Sequence, residues 1–219
     1  MPRLVTAVPG PCSRRLAREL RRHESHNVTF INRRFPVFWN RARGTNVWDA
    51  DGNRYLDMTS AFAVASLGHS HPDVVRALRN QSALLLHAMG DVHPAQTKGE
   101  LCRHLVEWTF GRWCRSRHGE PGRVILCSSG FEAVEAALKT AMLYTRKPGV
   151  IAFKGSYHGL GYGALSVTGW DYFRRPFQAQ LPGSVRFVPY PYCYRCPFGR
   201  RPEMRPPFRR PPCADDCLA

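Results

Sequence analysis

Residues 123–136 read Arg-Val-Ile-Leu-Cys-Ser-Ser-Gly-Phe-Glu-Ala-Val-Glu-Ala, an apolar run that stops at Ser128-Ser129-Gly130 and passes directly into a helical pattern. The stretch reads as a strand, a tight turn and a helix N-terminus. The first backbone N–H groups of a helix lack partners within it, and the aligned peptide dipoles place partial positive charge there, so the turn suits a phosphate. Gly130 lets the main chain approach such an anion closely. A second apolar run, Val150-Ile151-Ala152-Phe153, ends in Gly155-Ser156-Tyr157-His158-Gly159 and sets an aromatic ring just beyond another strand. In an open α/β sheet both strand ends face one crevice.

A phosphate turn beside an aromatic platform suits a flat phosphorylated cofactor, and the wording of these segments adds to that reading. SSGFEAVEAALKTA and FKGSYHG resemble the class III, fold type I pyridoxal-phosphate aminotransferases, the group of the 4-aminobutyrate, ornithine and acetylornithine enzymes. NVWDADGNRYLDMTSAFAVASLGHSHPDVV, residues 46–75, resembles that family's entry segment. Three motifs in family order extend the resemblance over residues 6–196.

The resemblance implies an α/β fold in which a small antiparallel meander precedes the first part of a mostly parallel sheet with flanking helices. It also implies pyridoxal 5'-phosphate as cofactor. Gly130 and Phe131 are then expected to donate main-chain N–H groups to the phosphate, with Ser129 adding a hydroxyl or shaping the turn. Tyr157 is expected to stack on the pyridine ring, with His158 close behind. Phe131 stands where many relatives carry a small residue, so a hydroxyl contact is lost there, and its ring would crowd the site if it pointed inward.

Family members are about twice as long as these 219 residues, so the chain reads as a front half with an incomplete large domain. Residues 1–70 are expected to hold an N-terminal helix and small antiparallel segment, 71–190 a partial cofactor-binding domain, and 191–219 a Cys/Pro/Arg-rich tail. In the family the Schiff-base lysine and the acid that pairs with the pyridine nitrogen lie well downstream of the aromatic platform. Lysine occurs here only at Lys98, Lys139, Lys147 and Lys154. Lys154 reads as a solvated strand-end residue, and Lys139 sits some 13 Å along its helix from the anion site at ~1.5 Å per residue. No catalytic residue is assigned. The resemblance implies a transaminase, acting on an amino donor and a 2-oxo acid acceptor as a homodimer, whereas the 219 residues alone are expected to be inactive. The alternatives are a non-catalytic protein retaining a cofactor or phosphate half-site, and a basic nucleic-acid- or metal-binding module.

The formal net charge is +16, nearly all of it from arginine concentrated towards the two ends. No helix-turn-helix, zinc-finger or RNP pattern accompanies it, which argues against nucleic-acid recognition. No apolar run reaches the ~20 residues needed to cross a bilayer, and the N-terminus lacks the apolar core of a signal peptide, so a cytoplasmic protein with reduced thiols is expected. Cys193 with Cys196 and Cys213 with Cys217 form two close pairs that could hold zinc or an iron–sulfur cluster. The Pro/Arg-rich stretch between them offers little to fold around an ion, so mobile reduced thiols are the preferred reading and no metal is assigned.

Elsewhere, residues 13–24 read as a charged helix, and 36–58 as three short strands with a hairpin turn at Ala50-Asp51-Gly52-Asn53. Helices are expected at 73–87, with Ser70 or His71 as cap and Pro72 in the first turn, and at 95–110. A further strand is expected near 185–188. His69 and His71 read as a structural turn rather than metal ligands, and Phe35, Phe38 and Trp39 as packing residues. Asp91 and His93 are candidates for substrate contact.

Overall fold

The computed structural model describes residues 1–26, 34–90, 92–113, 122–192 and 195–196. The chain divides into two compact units, the first ending at Gln96 and the second beginning at Thr97.

The first unit opens with helix α1, Pro11–His23. Pro11 occupies the first turn, where its missing N–H costs nothing, and basic residues in the last turn complement the helix dipole. The remaining free amides at its start are met from outside the helix. Asp51 Oδ1 accepts from Cys12 N (2.6 Å) and Oδ2 from Ser13 N (2.8 Å), which docks α1 on the hairpin turn. Strands β1 (Trp39–Arg43), β2 (Asn46–Asp49) and β3 (Arg54–Leu56) form an antiparallel meander in that order. Gly52 takes φ +86° in the β2–β3 turn, a conformation open to glycine at little steric cost.

Asp49 is the buried hub of this turn. Its Oδ1 accepts from Asp51 N and Asn53 N, while Oδ2 accepts from Asn53 Nδ2 (2.9 Å) and Tyr55 OH (2.6 Å). Burial works to raise its pKa, but these bonds outweigh it and hold the carboxyl below its ordinary range. Burial, followed by the bond to Asp49, pushes the Tyr55 hydroxyl up to about 12.

A second carboxylate hub, Asp57, follows β3. It accepts from Thr59 Oγ1 (2.7 Å), Thr59 N (2.8 Å), Ala61 N (3.0 Å) and, across twelve residues, His69 Nε2 (2.7 Å). Donation from Thr59, then from His69, keeps its pKa far below the usual carboxylate value. Ser60, Ala61, Phe62 and Ala63 all adopt positive φ, between 49° and 65°. For L-residues this left-handed turn costs roughly 1–2 kcal/mol per residue, and Asp57 grips both its entry and its interior. Helix α2, Pro72–Leu84, begins where expected, with His71 Nδ1 accepting from Asp73 N (3.3 Å) and Pro72 in the first turn. Phe35 and Trp39 do not pack as expected. Both are more than half exposed, and Trp39 makes a T-shaped contact with the His69 ring, centroids 5.8 Å apart, since β1 is an edge strand with a neighbour on one side alone.

Helix α3 (Gln96–Trp108) starts at the boundary, and in the second unit it is followed by α4 (Gly130–Thr145), β4 (Val150–Phe153), α5 (Tyr162–Val167) and β5 (Val185–Val188). Strands β4 and β5 pair in parallel, with α5 in the crossover between them. The buried centre comprises Ala152 of β4 and Ala164, Leu165 and Val167 of α5. The strand expected at residues 123–127 is absent. That segment carries no ladder pairing among the described residues, and Ile125 is 70% exposed. An apolar run with a strand's composition still needs a neighbour to supply its hydrogen bonds.

Candidate functional site: the phosphate turn and the tyrosine loop

Helix α4 starts with a capping box, the reciprocal arrangement in which the cap side chain and the third helical side chain each satisfy the other's backbone. Ser129 Oγ accepts from Glu132 N (3.4 Å), and Glu132 Oε2 accepts from Ser128 N (2.8 Å) and Ser129 N (3.1 Å). Those bonds account for three donors at the helix start. The amides of Gly130 and Phe131 are left with no acceptor among the described residues. A Cβ built on Gly130 would meet nothing within 4 Å, so the helix start is open at Gly130, beside two N–H groups aligned with the helix dipole. This geometry fits a phosphate group. Ser129 Oγ serves chiefly as the cap, and its hydroxyl proton remains available for donation.

Tyr157 lies four residues beyond the end of β4, and the residue is 56% exposed. It makes a T-shaped contact with the Phe173 ring, with centroids 5.3 Å apart and planes at 62°. A residue this exposed still offers ring surface for stacking. The loop beneath is pinned by buried Thr168, whose Oγ1 accepts from His158 N (3.0 Å) and lies within hydrogen-bonding distance of the carbonyls of Gly159 and Ala164. Ser156 adds a second tie, as its carbonyl accepts from Gly169 N at 2.8 Å and its hydroxyl donates to Phe153 O at 2.7 Å. The His158 side chain is exposed.

The turn and the loop are in contact. A Cβ on Gly159 would overlap Phe131 Cβ, one on Gly161 would overlap the Phe131 ring, and one on Gly163 would overlap the Glu135 carboxylate. Phe131 and Glu135, four residues apart, share one face of α4, and the alternate glycines of Gly159-Leu160-Gly161-Tyr162-Gly163 lie against it. Glu135 Oε1 also accepts from Ala164 N (2.9 Å), capping α5. The Phe131 side chain is therefore spent on the glycine loop, and its backbone N–H stays free.

The Ser-x-x-Glu spacing at 129–132 was readable as a capping box, but Glu135, Thr168 and Phe173 carry no sequence signal of their roles. Lys154 is exposed at the end of β4, where its N–H donates to Val188 O (2.9 Å). Cys196 is a half-buried free thiol, whereas Cys193, Cys213, Cys217 and Asp91 lie outside the described residues. Among the described residues no cluster of three or more His, Cys, Asp or Glu could hold a metal ion, and no helix is long and apolar enough to cross a membrane. His93 is exposed and belongs to the first unit.

The sequence profile described as aminotransferase class-III matches residues 30–204. The diaminobutyrate–2-oxoglutarate aminotransferase of Rhizobium meliloti (strain 1021) is 38% identical over 182 residues, covering 82% of this chain and 37% of the relative. The acetylornithine aminotransferase of Streptomyces clavuligerus is 41% identical over 150 residues, which is 68% of this chain and 34% of that protein. Among solved structures, the taurine:2-oxoglutarate aminotransferase of Bifidobacterium kashiwanohense, determined in complex with PLP and glutamate, superposes with TM-score 0.69 at 23% identity. That match covers 88% of this chain and 40% of the other. The chain thus spans well under half the length of the relatives it matches, and its α/β architecture is that of fold type I transaminases.

Proposed function

Because this chain belongs to the class III aminotransferase family, we propose that it supplies the phosphate turn and ring platform of a pyridoxal-phosphate site for amino-group transfer from an amino acid or amine to a 2-oxo acid. The observation that carries this reading is the junction of the Gly130 turn with the Tyr157 loop, sealed by Phe131 against Gly159. Gly130 N and Phe131 N bind the phosphate, and the Ser129 hydroxyl adds a donor. The exposed face of Tyr157 orients the pyridine ring and excludes water from that side, while His158 borders it. When bound, the cofactor supplies an electron-withdrawing ring that eases removal of a proton from the substrate's Cα.

None of Lys98, Lys139, Lys147 and Lys154 is proposed to move that proton. Lys154, the lysine nearest the platform in sequence, is exposed at the strand end. In this reading residues 71–190 are the partial cofactor domain, the working assembly is a cytoplasmic homodimer, and the 219 residues alone do not transaminate. The same residues would serve a second reading, a protein that holds the cofactor or a phosphate without catalysis.

Titration of the folded chain with pyridoxine 5'-phosphate, followed by quenching of intrinsic fluorescence, tests the site without involving any lysine. Saturable binding is expected, with competition by inorganic phosphate and about tenfold weakening in Tyr157→Ala. Gly130→Pro removes one phosphate donor at a helix position that tolerates proline, and weakening of similar size is expected. Binding indifferent to both substitutions would refute the assignment.

A further inference from the structure

In the first unit, a cleft of about 700 Å³ opens between β1 and the first turns of α2. Its walls carry Arg41, Arg43, Arg76 and Arg79, with Trp48 and Asn80 beside them. Arg41 and Arg43 are two apart on a strand, and Arg76 and Arg79 three apart on a helix, so each pair projects from one face of its element. The walls are tied together by paired backbone bonds between Gly44 and His69 (2.8 Å each) and by Ser70 Oγ donating to Ala42 O (3.0 Å). No carboxylate lines the cleft. Asp73 pairs with Arg76, whereas Arg43 and Arg79 have no acidic partner among the described residues.

From this convergence we propose that the cleft is a binding site for a compact, non-aromatic ligand carrying two or more closely spaced phosphate groups. Guanidinium forks match phosphate oxygens in bidentate fashion, and the two forks of Arg43 and Arg79, flanked by Arg41 on Trp48 and Arg76 on Asp73, suit phosphate groups set side by side. The Arg41 guanidinium stands 4.1 Å from the Trp48 ring centroid, and that of Arg54 stands 6.0 Å away. Guanidinium groups thus occupy the ring, which disfavours a nucleotide base stacking there. The cleft lies wholly within residues 41–80, so the proposal stands independently of the cofactor reading.

Calorimetric titration with inorganic tripolyphosphate tests it, using the full chain in a Gly130→Pro background so that the helix α4 turn contributes little. One equivalent per chain is expected at near-physiological salt, with inorganic phosphate binding at least tenfold more weakly. Arg43→Gln with Arg79→Gln should weaken tripolyphosphate at least tenfold. Arg15→Gln with Arg18→Gln, which removes equal charge from the exposed face of α1, should change it less than twofold. Should the glutamine pair misfold by circular dichroism, Arg43→Lys with Arg79→Lys keeps the charge but loses the forks, and at least threefold weakening is expected. Equal losses in the cleft and α1 pairs, no loss in the lysine pair, or tighter cleft-dependent binding of a single-stranded oligodeoxythymidylate would each overturn the proposal.

Discussion

Phe131 and Gly159, 28 residues apart, meet so closely that a side chain on the glycine would have to pass through the Cβ of the phenylalanine, and its Cβ would lie 3.1 Å from Phe131 Cα. Gly159 also holds φ +122°, so an added methyl group meets a steric and a conformational penalty together. Gly159→Ala is expected to destabilise the second unit by about 1–3 kcal/mol and to weaken pyridoxine phosphate binding. Gly183→Ala, where a Cβ would meet nothing within 4 Å, should leave both unchanged, as thermal melts and the fluorescence titration would show.

Glu135 joins the two halves of the candidate site a second time, through its bond to Ala164 N. Glu135→Gln keeps an acceptor oxygen, so its melting temperature should stay near that of the parent. Glu135→Ala leaves the Ala164 amide without this acceptor, at a cost of about 1–2 kcal/mol. Ligand affinity should fall in the same order, and equal behaviour of the two variants would show that the cap is immaterial.

The Asp57 carboxyl has a folded-state pKa below its unfolded value of about 4. A depressed pKa gives stability that is fully present above the unfolded value and lost as pH falls towards the folded one. Chemical denaturation midpoints of the parent should therefore exceed those of Asp57→Asn at pH 6, with the gap closing as the solution is acidified below about pH 4.

Tyr55 gives the opposite sign. Its folded pKa is raised to about 12 above an unfolded value of about 10, so its contribution is whole below pH 10 and fades as pH climbs towards 12. Tyrosinate absorbance should reveal one late-ionising hydroxyl that disappears in Tyr55→Phe. Ionisation of every tyrosine near pH 10 would contradict the buried bond to Asp49.

Ile125, in the unpaired segment, and Ile151, on β4, are 70% and 72% exposed. Open strand edges with apolar side chains promote association between chains. Ile151→Lys should raise the soluble fraction on expression while shifting stability by no more than about 0.5 kcal/mol.

Much of the local structure was legible from residue spacing. Pro72 after His71, Gly52 in the hairpin turn and Ser129 with Glu132 each mark a boundary because the group that satisfies the backbone sits within four residues of the need. The expected helices and β5 formed within a few residues of their predicted limits. The strand at residues 123–127 failed for a related reason: its apolar composition was visible, but its hydrogen bonds depend on a neighbour that no local pattern guarantees.

By itself, then, the chain's residue order determined the helix starts, the turns, the parallel β4–β5 alternation and the family to which the motifs point. Only the tertiary structure decided that Phe131 turns onto the glycine loop, that Glu135 caps α5, that Thr168 holds the backbone at His158, and that four arginines from a strand and a helix share one cleft. The division follows from range. Backbone capping and turn formation are satisfied among near neighbours, whereas a wall or a cleft needs side chains from separate elements to arrive at the same place, which depends on how those elements pack.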